Sequence, residues 1–202
     1  MPRSLDPSKF HPYNVADACS IWNIFSSKTL YLSAISTRSK CLFCCTMFVY
    51  YECLIRPRTN ESTQEKKLRE RLINERKKGV HFNDYHLSIE DLQEVEILEN
   101  RKNLGKGELS SIIFAKKTRQ AFMTDDKKAR ELAETILDKN MVQTTLHLLG
   151  WLFYSNVLID SDKNEIIEEH SKFRTTQWGN LTKYFDIMYI KAQEYKLMHR
   201  HN

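Results

Sequence analysis

The chain has 202 residues, 41% of them hydrophobic, which is enough for one sizeable core, so a single domain spanning 1–202 is expected. Its 31 Lys and Arg against 26 Asp and Glu leave a net charge of +5, which permits a nucleic-acid partner without requiring one. Five glycines and four prolines leave no room for long flexible linkers, and no repeat or low-complexity tract is present.

In chain order, the N-terminal Met1-Pro2-Arg3-Ser4-Leu5 carries no apolar signal core, and a cytoplasmic location is expected. Tyr13–Asp17 reads as a short first strand, followed by helices over about Cys19–Ser27 and Leu30–Thr37. Cys41–Cys45 is a continuous apolar run suited to a strand covered on both faces. Thr46 can cap a helix over Met47–Ile55, which Arg56-Pro57 ends. The run Cys41–Ile55 falls short of the ~20 residues a spanning helix needs, and Glu52 interrupts it. The five cysteines, at 19, 41, 44, 45 and 53, sit among apolar residues and read as buried thiols. Cys41-x-x-Cys44 lacks a second matching pair for zinc.

Residues 62–78 form a charged helix with Glu65 and Arg69 at i,i+4, a solvated face by default and a candidate backbone contact for RNA or DNA. Val80–Leu87 is ambiguous, with a small strand as one reading. Ser88-Ile-Glu-Asp91 resembles a capping box opening a helix through Leu98. Gly107-Glu108 opens an amphipathic helix, and Ala121–Thr124 is a buried strand ending in Asp125-Asp126. A helix from Asp126 carries Ala129, Leu132, Ala133, Ile136 and Leu137 on one face. Met141–Thr144 is a further strand, then come helices over Leu146–Leu158, Asn164–Phe173, and a last one bearing Leu181, Tyr184, Phe185, Met188, Ala192 and Tyr195. Trp22, Trp151 and Trp178 read as core or interface residues, and His199 and His201 as parts of a frayed end. Short strands alternating with helices predict an α/β fold with a parallel sheet between helical layers. Asp17, Asp125 and Asp126 then fall at strand ends, where ligands of such sheets collect.

Folding the Glu108 helix back on its strand brings that carboxylate toward Asp125 and Asp126. Converging carboxylates repel each other, and a hard divalent cation is the usual reason to tolerate that. Each acid also has a plainer reading: Asp17 as a strand terminator, Glu108 as an acid favoured at a helix N-terminus, and Asp125 or Asp126 as a cap. Glu52 is harder to set aside, because an acid inside an apolar segment is costly unless paired or metal-bound.

Four segments carry a resemblance. Val15-Ala-Asp17-Ala-Cys-Ser-Ile-Trp-Asn-Ile is similar to the opening strand of PIN-domain proteins, and Val49-Tyr-Tyr-Glu52-Cys-Leu resembles their second acidic position. Gly107-Glu108 followed by Thr124-Asp125-Asp126-Lys-Lys-Ala-Arg130 looks like the signature of one prokaryotic PIN branch, and Thr144-Thr-Leu-His-Leu-Leu-Gly-Trp resembles its closing helix. The resemblance implies a PIN-like three-layer α/β/α sandwich with a core over about 13–160, a helical insertion over about 60–104 and C-terminal helices over about 161–198. It implies a nuclease dependent on Mg²⁺ or Mn²⁺, an endoribonuclease more than a DNase, in some members the toxin of a toxin–antitoxin or defence pair. On that reading Asp17, Glu52, Glu108 and Asp126 form the ligand shell, Asp125 is a further metal neighbour, and Thr124 orients a carboxylate or water. An antitoxin-like protein partner or a homo-oligomer is expected to cover the aromatic surface of the last helix. Cys19 stands where a hydroxyl residue is common, Glu108 where the toxin branch has Asp, and the insertion is longer than in compact toxins. The runner-up is a catalytically silent PIN-like module that binds nucleic acid or protein, and a third reading takes the acids as caps and surface ion pairs.

Overall fold

The structure is a computed structural model that describes residues 6–56, 61–102, 104–173 and 181–199. Pro57, Trp178 and His201, for which the sequence suggests roles, lie outside the described residues.

After a 3-10 turn at Pro7–Lys9, the chain forms β1 (Tyr13–Ala16), α1 (Ala18–Ser26), α2 (Lys28–Ala34) and β2 (Leu42–Thr46). Next come α3 (Met47–Tyr50), which continues as a π-helix over Tyr51–Ile55, then α4 (Thr63–Lys78), β3 (Asn83–Tyr85) and α5 (Ile89–Lys102). The chain goes on through α6 (Lys106–Thr118), β4 (Ala121–Met123), α7 (Lys127–Ile136) and β5 (Val142–Gln143). It finishes with α8 (Thr145–Tyr154), α9 (Asp162–Ser171) and α10 (Thr182–His199). Among the described residues, no helix is long and apolar enough to cross a membrane.

The five strands form one wholly parallel sheet in the order β3-β2-β1-β4-β5. The chain therefore starts in the middle, winds outward through β2 to β3, and crosses back to β4 and β5. The stretch 60–104 supplies this edge strand as well as α4 and α5, so it is built into the sandwich.

Strand periodicity explains why the core has two halves. Val15 and Phe122 point into one cluster with Leu109, Ile112, Ala129 and Leu132 from α6 and α7. Their neighbours Ala16 and Met123, with Phe43 and Cys45, point into the other, among Ile21, Phe25, Leu149, Phe153 and Phe185. Helices cover both faces, giving the expected three-layer α/β/α sandwich.

Caps set the helix starts. Ser62 and Glu65 form a capping box on α4, and Ser88 and Asp91 exchange reciprocal bonds (2.9 and 3.3 Å) at the start of α5. The expected Glu65–Arg69 pair gives way to this arrangement: Glu65 reaches back to the Ser62 N–H, and Arg69 pairs with Glu61 at 2.9 Å. Other cations of the charged helix are also spent on the fold. Arg71 donates to the Phe25 carbonyl, and Arg76 lies over the Tyr50 ring and pairs with Asp84 at 2.6 Å. Trp22 is buried, and Trp151 stacks near Phe10. His199, read as frayed, is instead held by the Tyr154 hydroxyl at 2.6 Å.

Candidate functional site

In a doubly wound sheet the crevice opens beyond the carboxyl ends of the strands, where winding reverses. Here that point lies between β1 and β4, and the residues leaving those strands are Asp17 and Thr124-Asp125-Asp126. The segment after β2 carries Glu52. Helix α6, which leads into β4, begins at this same edge with Glu108. All five predicted acids therefore belong to one edge of the sheet.

Asp17 is buried, with 2% of its surface exposed. It caps α1 by accepting the Ser20 N–H at 2.9 Å, and it accepts the Thr124 hydroxyl at 2.5 Å. Thr124 thus orients this carboxylate across the β1–β4 seam. Burial pushes the Asp17 carboxyl up to about 7 against these stabilising bonds, with a smaller push from Asp125. The Cys19 thiol bridges the two acids. It donates to Asp17 at 3.1 Å and accepts the Asp125 N–H at 3.3 Å, and burial together with both carboxylates pushes it well above the usual thiol range.

Asp125 turns inward. Its carboxylate accepts from the Asn23 amide at 2.8 Å, the Thr145 N–H at 3.0 Å and the Thr145 hydroxyl at 2.5 Å. Its carboxyl is raised by burial, and Arg130 opposes the shift. Asp126, not Asp125, is the helix cap: it accepts the Ala129 N–H at 2.8 Å, and its own N–H donates to Thr124 at 3.1 Å.

Glu52 and Glu108 form a second pair. The π-helix adds a residue to the turn, closed by the Arg56 N–H donating to the Tyr51 carbonyl at 2.7 Å. Glu52 accepts the Gly107 N–H at 3.2 Å, a donor in the first turn of α6. Both carboxylates press on the chain at Gly105, where an added Cβ would lie 2.6 Å from Glu108 Oε2 and 3.6 Å from Glu52 Oε1. Burial and then the Glu108 charge raise the Glu52 carboxyl, against the Gly107 bond and Arg56.

The expectation that Asp17, Glu108 and Asp126 share one metal-bridging cluster is corrected. Among the described residues, no group of three or more His, Cys, Asp or Glu side chains could hold a metal ion. The acids divide into the neighbours Asp17 and Asp125, the pair Glu52 and Glu108, and Asp126, whose carboxylate is turned to cap α7. The five cysteines form no disulfide; Cys41, Cys45 and Cys53 are buried, and Cys19 and Cys44 are half-buried.

The sequence reading missed Asn23 and Thr145. Asn23 was open to detection, since Asp17, Ser20, Asn23 and Ser26 recur every third residue through an otherwise apolar helix, and all four are buried. Such a stripe needs partners inside the protein. No protein-family model, curated protein or solved structure matches the chain.

Proposed function

We propose that the protein is a PIN-like, divalent-metal-dependent nuclease, an endoribonuclease in preference to a DNase. The observation that supports it best is that five carboxylates from four segments lie along the carboxyl-end edge of the parallel sheet. Mg²⁺ keeps several of its own waters and is commonly held by one or two carboxylates plus substrate phosphates, so pairs of acids are a sufficient protein donor set. Asp17 with Asp125, and Glu52 with Glu108, have that chemistry: hard oxygen donors crowded enough that burial or mutual charge raises Asp17, Asp125 and Glu52. A bound Mg²⁺ or Mn²⁺ would supply neutralisation of phosphate charge and a more acidic water.

In this reading Asp17 beside Asp125 and Glu52 beside Glu108 are two candidate ligand pairs, and the Thr124 hydroxyl fixes the Asp17 rotamer. Asp126, carried over by the resemblance, would contribute after turning from its cap. The test is cleavage of a panel of single-stranded RNA and DNA by the purified protein with Mg²⁺ or Mn²⁺, beside Asp17→Asn and Glu52→Gln. Metal-dependent cleavage lost in both variants supports the reading. Absence of cleavage together with absence of thermal stabilisation by Mn²⁺ overturns it, because a ligand bound only by the folded state must stabilise it.

A toxin role follows from the same resemblance. Expression alone would then inhibit growth, and a co-encoded protein partner would relieve it. One observation favours the silent-module alternative: Asp125 already accepts three hydrogen bonds from Asn23 and Thr145, as a purely structural carboxylate does. Stabilisation by single-stranded RNA without cleavage in any metal would select it.

A further inference from the structure

Helix α10 has two distinct sides. Phe185, Met188 and Ala192 are buried where the helix packs on α8, α9 and the N-terminal turn. The opposite side carries Lys183, Ile187, Ile190, Glu194 and Leu197, spaced 4, 3, 4 and 3 residues apart, and all five are exposed. Ile190 and Leu197 leave 55% and 59% of their surface in water. That spacing is the seam of a two-stranded coiled coil, in which each helix lays its stripe against a partner helix. Neither Lys183 nor Glu194 forms an ion pair with another described residue; the Lys183 ammonium lies over the ring of the adjacent Tyr184, 4.8 Å from its centre. Asp186, at the border of the stripe, is already paired with Lys163 at 2.9 Å.

We propose that α10 pairs with α10 of a second copy of this chain, antiparallel about a two-fold axis, with Lys183 of each copy facing Glu194 of the other and Ile187 facing Ile190. Charge selects both the occupant and the direction. In a parallel pair each position meets itself, so Lys183 would face Lys183 and Glu194 would face Glu194. In an antiparallel pair centred between Met188 and Tyr189, Ile187 meets Ile190, and one layer farther out on either side Lys183 meets Glu194. Moving the centre to the next matching register in either direction sets Glu194 on Ile190 or Lys183 on Ile187, a charge against an apolar side chain. A two-fold contact presents the same patch from both copies, so its surface must complement itself. This stripe does so in both its apolar and its charged layers.

The test is sedimentation velocity of the full chain over protein concentrations from about 1 to about 500 µM, because a seam this short is expected to associate in the micromolar range. Lys183→Glu or Glu194→Lys alone makes both charged layers repulsive and is expected to weaken the dimer roughly tenfold. A mixture of the two single variants places opposite charges in both layers again, as does the chain carrying both changes. Each is expected to return to within roughly threefold of the wild-type affinity. Ile190→Lys puts a charge into both central layers and is expected to leave only monomer. The three substituted positions are exposed, and circular dichroism with thermal unfolding checks that the variants fold. Monomeric wild type at every concentration, single charge variants that dimerise as tightly as wild type, or a mixture that fails to restore affinity overturns the proposal. A dimer that persists in Ile190→Lys places the contact on another face and overturns it as well.

Discussion

Glu52 and Gly107 are fitted to each other: the carboxylate accepts the glycine N–H at 3.2 Å, and a Cβ on residue 107 would lie 2.6 Å from Glu52 Oε2. Only a residue without a side chain lets Glu52 reach the first turn of α6 beside Glu108. Gly107→Ala should therefore swing the Glu52 carboxylate away. The metal-free protein should lose little, because alanine is favoured over glycine in a helix by up to about 1 kcal/mol and the Glu52–Glu108 repulsion is relieved. If this pair holds the metal, stabilisation by Mn²⁺ should shrink or vanish. Thermal unfolding with and without Mn²⁺ decides it, and a full Mn²⁺ response in Gly107→Ala would remove the pair from the metal site.

Asp17 gives a pH-dependent signature. Its folded carboxyl is raised to about 7 from an ordinary 3.8, so between those values the folded protein holds a proton that the unfolded chain releases. The stability this contributes is present below about pH 4 and is lost as pH rises through 7. Asp17→Asn cannot ionise and should keep it, making the metal-free variant more stable than wild type at pH 8, by an amount on the order of 4 kcal/mol at most. The two should converge near pH 4. Urea midpoints at both pH values measure this, and a variant less stable than wild type at pH 8 would show that the Thr124 and Ser20 bonds outweigh burial.

The two layers of helix and the alternating strand faces were legible because they depend on local periodicity: Val15 and Ala16, or Phe122 and Met123, divide the core by simple alternation. The Ser88–Asp91 box was legible for the same reason, its partners being neighbours in sequence. The site was legible only as a set of candidates. Nothing local says that Tyr51–Ile55 widens into a π-helix, that Asn83–Tyr85 pairs with β2, or that Asp125 finds Thr145 across the sheet edge. The choice of Asp126 over Asp125 as the cap has the same origin. Either aspartate can cap a helix, and the choice falls to which of them meets Asn23 and Thr145 when the layers close.

Asp126 separates capping from metal chemistry through two substitutions. Its carboxylate accepts the Ala129 N–H at 2.8 Å, a bond that asparagine can reproduce and alanine cannot. Asp126→Asn should keep the fold within a few tenths of a kcal/mol, while Asp126→Ala should cost about 1 kcal/mol. A purely structural Asp126 predicts full cleavage in Asp126→Asn. A ligand that turns from its cap to the metal predicts loss of cleavage in both variants despite their different stabilities. Denaturant midpoints read beside cleavage rates distinguish the two.

Two histidines, the buried His170 and the half-buried His147, set the acid limit of the fold. His170 sits among core residues with Nδ1 2.6 Å from the Ser26 hydroxyl, and burial lowers it from 6.5 to about 4. His147, whose Nδ1 accepts the Thr144 N–H at 3.0 Å, is lowered to about 4 by burial and then by Arg130. Both are neutral in the folded and unfolded states well above pH 6.5, so their contribution to stability is fully present there. As pH falls from 6.5 toward 4 the unfolded chain takes up protons that the folded protein refuses, and that stability is lost. Asp17 works in the opposite direction over the same range, so the loss in wild type is partly masked. His170→Gln removes one titrating site and should cut the acid-side loss between pH 7.5 and 4.5 by roughly 2 kcal/mol, while Asp17→Asn should deepen it. Urea unfolding of the three proteins at the two pH values is the measurement. An acid-side loss in His170→Gln equal to that of wild type would mean that His170 is already protonated inside the folded protein, with Ser26 accepting its proton.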